Sequence, residues 1–278
     1  MRIVALVDQS IYRRSVVDHA AWVGATASGT IELLFVVARN EHLANHLPAH
    51  PAGAIVLTNS MTIDEVLADI REKGELLLAE AEASVRSKGI VDVRTRIEEG
   101  NVDEIAVRAS AECDLLVIGK RGEHADLARL PLGANVVTIV RKSSVPVLVV
   151  SRVFRHVHRA LIAFDTDEAC AAAVRVLAKA QIVPPVPILL LHIGEEGDEM
   201  RAALMEAANR LETSGYEVTV ELMPGVPTRL IPERAVTDAT DLVIMGTYGR
   251  SRWKSLLFGS LTNELIRATQ TPVLLVNS

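Results

Sequence analysis

Short runs of consecutive apolar residues punctuate the chain, separated by longer stretches in which apolar positions recur at every third or fourth residue. The runs IVALV (3–7), IELLFVV (31–37), DLLVIG (114–119) and VPVLVV (145–150) are followed by ALIAF (160–164), ILLLHIG (188–194), DLVIMG (241–246) and TPVLLV (271–276). Helical spacing covers 10–25, 72–88, 102–111 and 134–141, then 167–180, 198–214, 227–237 and 260–268. Runs with little polar alternation mark strands covered on both faces. Their alternation with helices, under right-handed crossovers, predicts an α/β fold built on doubly wound parallel sheets.

The pattern is written twice. RIVALVDQS at 2–10 returns as RALIAFDTD at 159–167, which sets Asp8 and Asp165 at matching strand ends 157 residues apart. The runs at 31–37 and 188–194 keep that spacing. CDLLVIGKRG (113–122) and TDLVIMGTYG (240–249) stand 127 apart, and VPVLVV and TPVLLV stand 126 apart. Matched Asp, Gly and Pro turn residues accompany the matched apolar ones, so an internal duplication explains the pattern. The fall in spacing locates an insert in the first copy at about 39–72, which holds Pro48, Pro51 and Gly53 and then a helical stretch from Thr62. Two tandem domains are expected, 1–151 and 152–278, each with a five-stranded parallel sheet and helices on both faces, divided at the polar, basic segment 151–158. The last strand of each copy opens on proline and is rich in β-branched residues. Left exposed, two such edges are an aggregation hazard, and intramolecular pairing of the halves across them is the expected remedy. A homodimer beyond that stays open.

Composition narrows the class. With 278 residues, 49% apolar and 23% charged, the chain is neither disordered nor collagenous. Its 35 acidic residues against 29 basic ones, with nine aromatics in all, argue against a nucleic-acid partner. None of the apolar runs approaches the roughly 18 residues of a membrane span. Met1 is followed at once by the run 3–7 with no basic leader, and Cys113 and Cys170 have no metal or redox spacing, so a cytoplasmic address is expected.

In open parallel sheets, ligands gather beyond the carboxyl ends of the strands, where strand order reverses. After the run 241–246 the chain reads Gly246, Thr247, Tyr248, Gly249, then nine residues RSRWKSLLF, then Gly259, Ser260, Leu261 and Thr262. Two glycines three apart permit a tight turn at positive φ and let backbone N–H groups approach a ligand. Gly259 and Ser260 open a helix whose free N–H groups and positive dipole end attract phosphate, with hydroxyls from Ser260 and Thr262. Arg250, Arg252 and Lys254 add cations, and Trp253 is a candidate lid or a packing residue. This anion cradle has neither the GxxxxGK[ST] nor the GxGxxG spacing.

These residues resemble the nucleotide-binding branch of the universal stress protein family, whose signature is Gly, two residues, Gly, nine residues, Gly, then Ser or Thr. Here that is Gly246, Gly249, Gly259 and Ser260, with Asp165, the His192–Ile193 pair and TPVLLV in support. The likeness spans both halves, so the chain is identified as a tandem member. The resemblance implies an ATP-binding protein of stress response and signalling, with Mg2+ as the companion ion. Asp165 and the backbone near Ile193 would face the adenosine end, and Met245 and Gly246 would line the nucleotide. Gly249, Arg250, Gly259, Ser260, Leu261 and Thr262 would surround the phosphates.

The first copy departs from the signature. Gly119 and Gly122 are present, but ten residues, EHADLARLPL, precede Gly133, and Ala134 and Val136 stand where Ser260 and Thr262 stand in the second copy. Glu123 and Asp126 would repel a triphosphate, with Lys120 and Arg121 offsetting them in part. A degenerate first site is expected. In the insert, His42, His46 and His50 could ligate a metal, but no Cys or paired carboxylate joins them and a polar loop is the simpler reading. The two cysteines read as buried apolar residues, and His192 as structural rather than a general base.

Phosphoryl transfer needs carboxylates for a metal and a group that positions water. The nearest acids to the cradle along the chain are Glu264 and Asp241, which form no convincing pair, so binding is expected with at most slow hydrolysis. The alternative is a non-catalytic interaction protein that takes a protein partner or a hydrophobic ligand without nucleotide. An adenylating enzyme of related architecture would need an SGGxDS-like loop after the first strand, where this chain has DQS and FDTDE.

Overall fold

The computed structural model describes residues 1–38, 62–122, 134–180, 182–247 and 260–277. In the first half, strands β1 (Arg2–Leu6), β2 (Thr30–Val37), β3 (Val93–Glu99), β4 (Leu115–Gly119) and β5 (Val147–Val150) alternate with helices α1 (Arg13–Thr26), α2 (Ile63–Ser87), α3 (Val102–Ser110) and α4 (Ala134–Lys142). The second half repeats the series: β6 (Ala160–Ala163), α5 (Glu168–Ala180), β7 (Ile188–Ile193), α6 (Asp198–Thr213), β8 (Val218–Met223), α7 (Pro227–Thr237), β9 (Leu242–Gly246), α8 (Ser260–Ala268) and β10 (Val273–Val276). No helix among the described residues is long and apolar enough to cross a membrane.

The ten strands form one sheet in the order β3-β2-β1-β4-β5-β10-β9-β6-β7-β8. Five parallel strands from each half meet edge to edge, because β5 and β10 pair antiparallel with Val149 opposite Val273, Leu148 opposite Leu274 and Val147 opposite Leu275. None of these six side chains is more than 2% exposed. Burying one Val or Leu contributes about 1.5–3 kcal/mol, so the two strands that would have been sticky edges become the centre of the molecule. The outer edge strand β3 carries Arg94, Arg96, Glu98 and Glu99, charges that discourage edge-to-edge growth.

Alternate strand residues feed two cores, one on each face. Ile3, Leu33, Val117, Leu148, Ile162 and Leu274 pack with residues of α1, α2, α5 and α6, whereas Val4, Leu116, Val149, Leu161 and Leu275 pack with α3, α4, α7 and α8. Both layers run unbroken from one half into the other. The helical spacings at Thr62 and at 72–88 prove to be one helix of 25 residues, against 16 in its counterpart α6. Thr62 starts it with a capping box: its hydroxyl accepts from Glu65 N (3.3 Å) and the Glu65 carboxylate accepts from Thr62 N (2.6 Å). Part of the insert therefore lengthens a helix, and the apolar stripe Leu67, Ile70, Leu78, Ala81 and Val85 shows why it continues.

This strand order places the functional region. Strand order reverses between β1 and β4 in the first half and between β6 and β9 in the second, since β6 leads to β7 on one side and receives β9 on the other.

Candidate functional site

At the reversal point of the second half, Ala163 near the end of β6 lies opposite Leu191 of β7 and Met245 of β9. The ladder continues past β6: Phe164 N donates to Leu191 O at 2.8 Å, and His192 Nδ1 donates to Phe164 O at 3.0 Å. A carbonyl can only accept, so Nδ1 carries the hydrogen, and this buried histidine is a tie between strands. Asp165 follows at 5% exposure, and its Oδ1 accepts from Thr166 N at 2.8 Å. Ile193 (1% exposed) is the last residue of β7, and Met245 (3%) precedes Gly246, the last residue of β9. Asp165, Ile193, Met245 and Gly246 thus all stand at or just beyond the carboxyl ends of β6, β7 and β9.

The turn from β6 into α5 is pinned by short polar contacts. Asp167 caps α5, its Oδ1 accepting from Cys170 N at 2.7 Å. Burial, with Asp165 nearby, raises the pKa of Asp167 even though the cap works the other way. Cys170 Sγ accepts from Asp165 N at 3.3 Å and donates to Ala163 O at 3.4 Å. Burial first, then the charge of Asp167, pushes that thiol up to about 12, so it packs and does not react. Cys113 is half-buried rather than buried, and its thiol is pushed up to about 11, again mainly by burial.

Gly246 has a role that sequence spacing does not reveal. The glycines at positive φ among the described residues are Gly89, Gly100, Gly215 and Gly225, so neither Gly246 nor its counterpart Gly119 serves the left-handed turn expected of it. A Cβ at Gly246 would lie 2.6 Å from Cys170 N, 2.7 Å from Ala169 C and 2.8 Å from Ala169 Cβ. The absent side chain lets the start of α5 close on β9. At Gly119 a Cβ would lie 2.8 Å from Tyr12 Cβ, and Tyr12 is the counterpart of Ala169. Each half repeats the contact.

Of the remaining expected ligands, Ser260 and Leu261 open α8, as the motif requires, and Thr262 is 4% exposed in its first turn. Val136, the counterpart of Thr262, packs in the apolar core at 5% exposure. Gly249, Arg250, Gly259, Arg252, Trp253 and Lys254 lie outside the described residues, as do Glu123, Asp126, Gly133, His42, His46 and His50. Among the described residues no group of three or more His, Cys, Asp and Glu could hold a metal ion.

Two sequence expectations need correction. Lys120 does not offset acidic charge in the first loop: it is 8% exposed, and its Nζ donates to Thr269 O and, at 3.1 Å, to Thr271 O in the second half. The cation has found the open carbonyls after the end of α8. Nor does Asp241 approach the cradle. It precedes β9 at the opposite end of the strand, where its Oδ2 accepts from His158 N (2.9 Å) and Arg159 N (3.2 Å). His158, Arg159, Asp238 and Asp241 line an open depression of about 480 Å³ there, at the amino ends of the strands. Asp241 is occupied by those amides, and Asp238 pairs with Arg234 at 3.2 Å.

A model of the Universal stress protein family matches residues 1–151 and 156–277. Universal stress protein Slr1230 of Synechocystis sp. is 28% identical over 98% of this chain and 98% of its own. A universal stress protein of Mycolicibacterium smegmatis is 24% identical over 97% of this chain and 95% of its own. The crystal structure of a universal stress protein from Archaeoglobus fulgidus shares the fold at a TM-score of 0.73, with 20% identity, covering 99% of this chain and 96% of that one. The internal repeat and the strand order agree with these likenesses, and the chain belongs to the universal stress protein family.

Proposed function

We propose that the second half is an ATP site and that nucleotide occupancy there biases the conformation or partner choice of a stress-response protein in the cytoplasm. The chain works as two units, 1–151 and 152–278, and only the second is loaded. What supports this reading is the reversal of strand order between β6 and β9, with Asp165 following one strand, Met245–Gly246 closing the other, and the next helix opening on Ser260.

The residues fit an adenine nucleotide. Asp165 and the backbone around Ile193 would meet the nucleoside, with the apolar Ile193 and Met245 beside it. The first-turn amides of α8, the Ser260 hydroxyl and the cation of Arg250 would hold the phosphates. Gly249 and Gly259, which have no side chains, would leave room for them, and Thr262 would contribute its amide. Mg2+ would ride on the phosphates with its own waters, the usual arrangement where few carboxylates are offered. Among the described residues the two acids nearest the motif along the chain stand away from it, Asp241 at the far end of β9 and Glu264 exposed on α8, which supports binding with at most slow hydrolysis.

Calorimetric titration with ATP and Mg2+ tests this on the full chain, beside Ser260→Ala and Arg250→Ala. The wild type is expected to bind, and removal of one phosphate-directed hydrogen bond to weaken binding by about 3- to 10-fold. No heat of binding in the wild type would favour a scaffold that recognises a protein or hydrophobic ligand without nucleotide.

A further inference from the structure

Polar side chains cross the β5–β10 junction at two related places, and both leave from the residue after the first motif glycine. In the first half that residue is Lys120, whose ammonium reaches Thr269 O and Thr271 O just beyond the last turn of α8. In the second half it is Thr247, whose hydroxyl meets Asn277 Oδ1, while Asn277 Nδ2 donates to Val140 O (3.1 Å) and Ser143 O (2.6 Å) at the end of α4. Backbone contacts repeat as well: Lys120 N donates to Val150 O and Thr247 N to Val276 O. Each half therefore grips the carboxyl end of the other half's last helix.

The two grips differ in charge. The end of α4 meets a neutral amide, whereas the end of α8 meets a buried cation. Burial draws the Lys120 amine down to about 8, while its Nζ donates to the two carbonyls. A cation is the group that the negative end of a helix dipole favours. Helix α8 has nine residues, roughly 13 Å at 1.5 Å per residue, and Leu265 (1% exposed) and Ile266 (0%) lock its middle into the core. A short rod held at its middle and one end has little freedom at the other, and that other end is Ser260.

We propose that Lys120, supplied by the first half, is a positioning residue for the phosphate end of the second half's site. This rests on the nucleotide reading above for what Ser260 faces. The first half's loop has exchanged ligand binding for a strut. Its lost hydroxyls and its lysine then have one explanation: a site given up and its scaffold reused to order the twin.

Lys120→Met tests the strut in the full chain by hydrogen exchange of peptides spanning 260–268 and 134–142, together with titration of ATP and Mg2+. The expected result is faster exchange in 260–268 with 134–142 unchanged, and ATP affinity lowered about 5- to 10-fold. Should the Met variant fail to fold, Lys120→Gln, which keeps a donor for one carbonyl, carries the same comparison. Unchanged exchange in 260–268 overturns the proposal, as does faster exchange with ATP affinity intact. A wild type that takes up no ATP refutes the nucleotide reading instead, and the strut is then judged on exchange alone.

Discussion

Gly246→Ala isolates what packing demands of the motif. The added Cβ would sit 2.6–2.8 Å from Cys170 N, Ala169 C and Ala169 Cβ, none of which a rotamer change can move aside. Relief requires the start of α5 to withdraw from β9. That helix buries Ala169, Cys170, Ala173 and Leu177, each at most 3% exposed, so withdrawal opens contacts in one of the two cores. Overpacking of this kind costs about 1–3 kcal/mol, and the upper part of that range applies because backbone, not side chain, must move. A loss of about 2–3 kcal/mol corresponds to roughly 5–10 °C in Tm for a chain of this size. Gly197→Ala is the control, since a Cβ there meets nothing within 4 Å, and it should cost no more than about 1 kcal/mol, the modest penalty of alanine for glycine at the N-cap of α6. Differential scanning calorimetry without nucleotide makes the comparison. Equal Tm values for the two variants would refute the steric argument. The expected loss also means that side chains at Gly246 are poor probes of ligand binding, for which Ser260→Ala and Arg250→Ala are cleaner.

Three further outcomes follow from burial and charge. Leu148→Ala, opposite Leu274 at the junction, should cost about 2–5 kcal/mol in urea unfolding, and a cost below about 1 kcal/mol would mean the halves do not depend on this seam. His19 is 1% exposed, its Nδ1 donates to Ser15 O at 2.7 Å, and burial lowers its pKa to about 4. The unfolded chain then takes up a proton that the folded one refuses as pH falls from about 6.5 to about 4, so stability should drop by up to about 3 kcal/mol across that window. His19→Gln should flatten this part of the profile, and an unchanged slope in unfolding free energy against pH would count against it. Cys170 should resist iodoacetamide at pH 8 in the folded chain and react once urea unfolds it, as mass spectrometry of the peptide would show; rapid labelling of the folded protein would contradict its burial.

Much of the architecture could be read from residue order alone, because the features that duplicated were those that fix strands and turns: apolar runs, Asp8 with Asp165, Gly119 with Gly246, and the prolines before β5 and β10. The seam between halves was legible as a hazard, two apolar edges that had to be covered. Contacts closed by distant chain segments were less legible. Nothing near Lys120 in sequence announces that it reaches Thr269, nor does anything beside Gly246 announce the start of α5. Asp241 looks adjacent to the cradle because it stands only five positions before Gly246. A strand of that length carries it about 16 Å away, to the other end of the sheet. Proximity along a strand is distance in space, whereas proximity across the sheet is hidden until the strand order is known.

The proposed function is asymmetric: of two copies of one scaffold, the second alone would hold nucleotide. Native mass spectrometry of the intact chain in ATP and Mg2+ counts occupancy directly. One ATP per chain, lost in Ser260→Ala combined with Arg250→Ala, is the predicted result, and either two per chain or none would contradict the account.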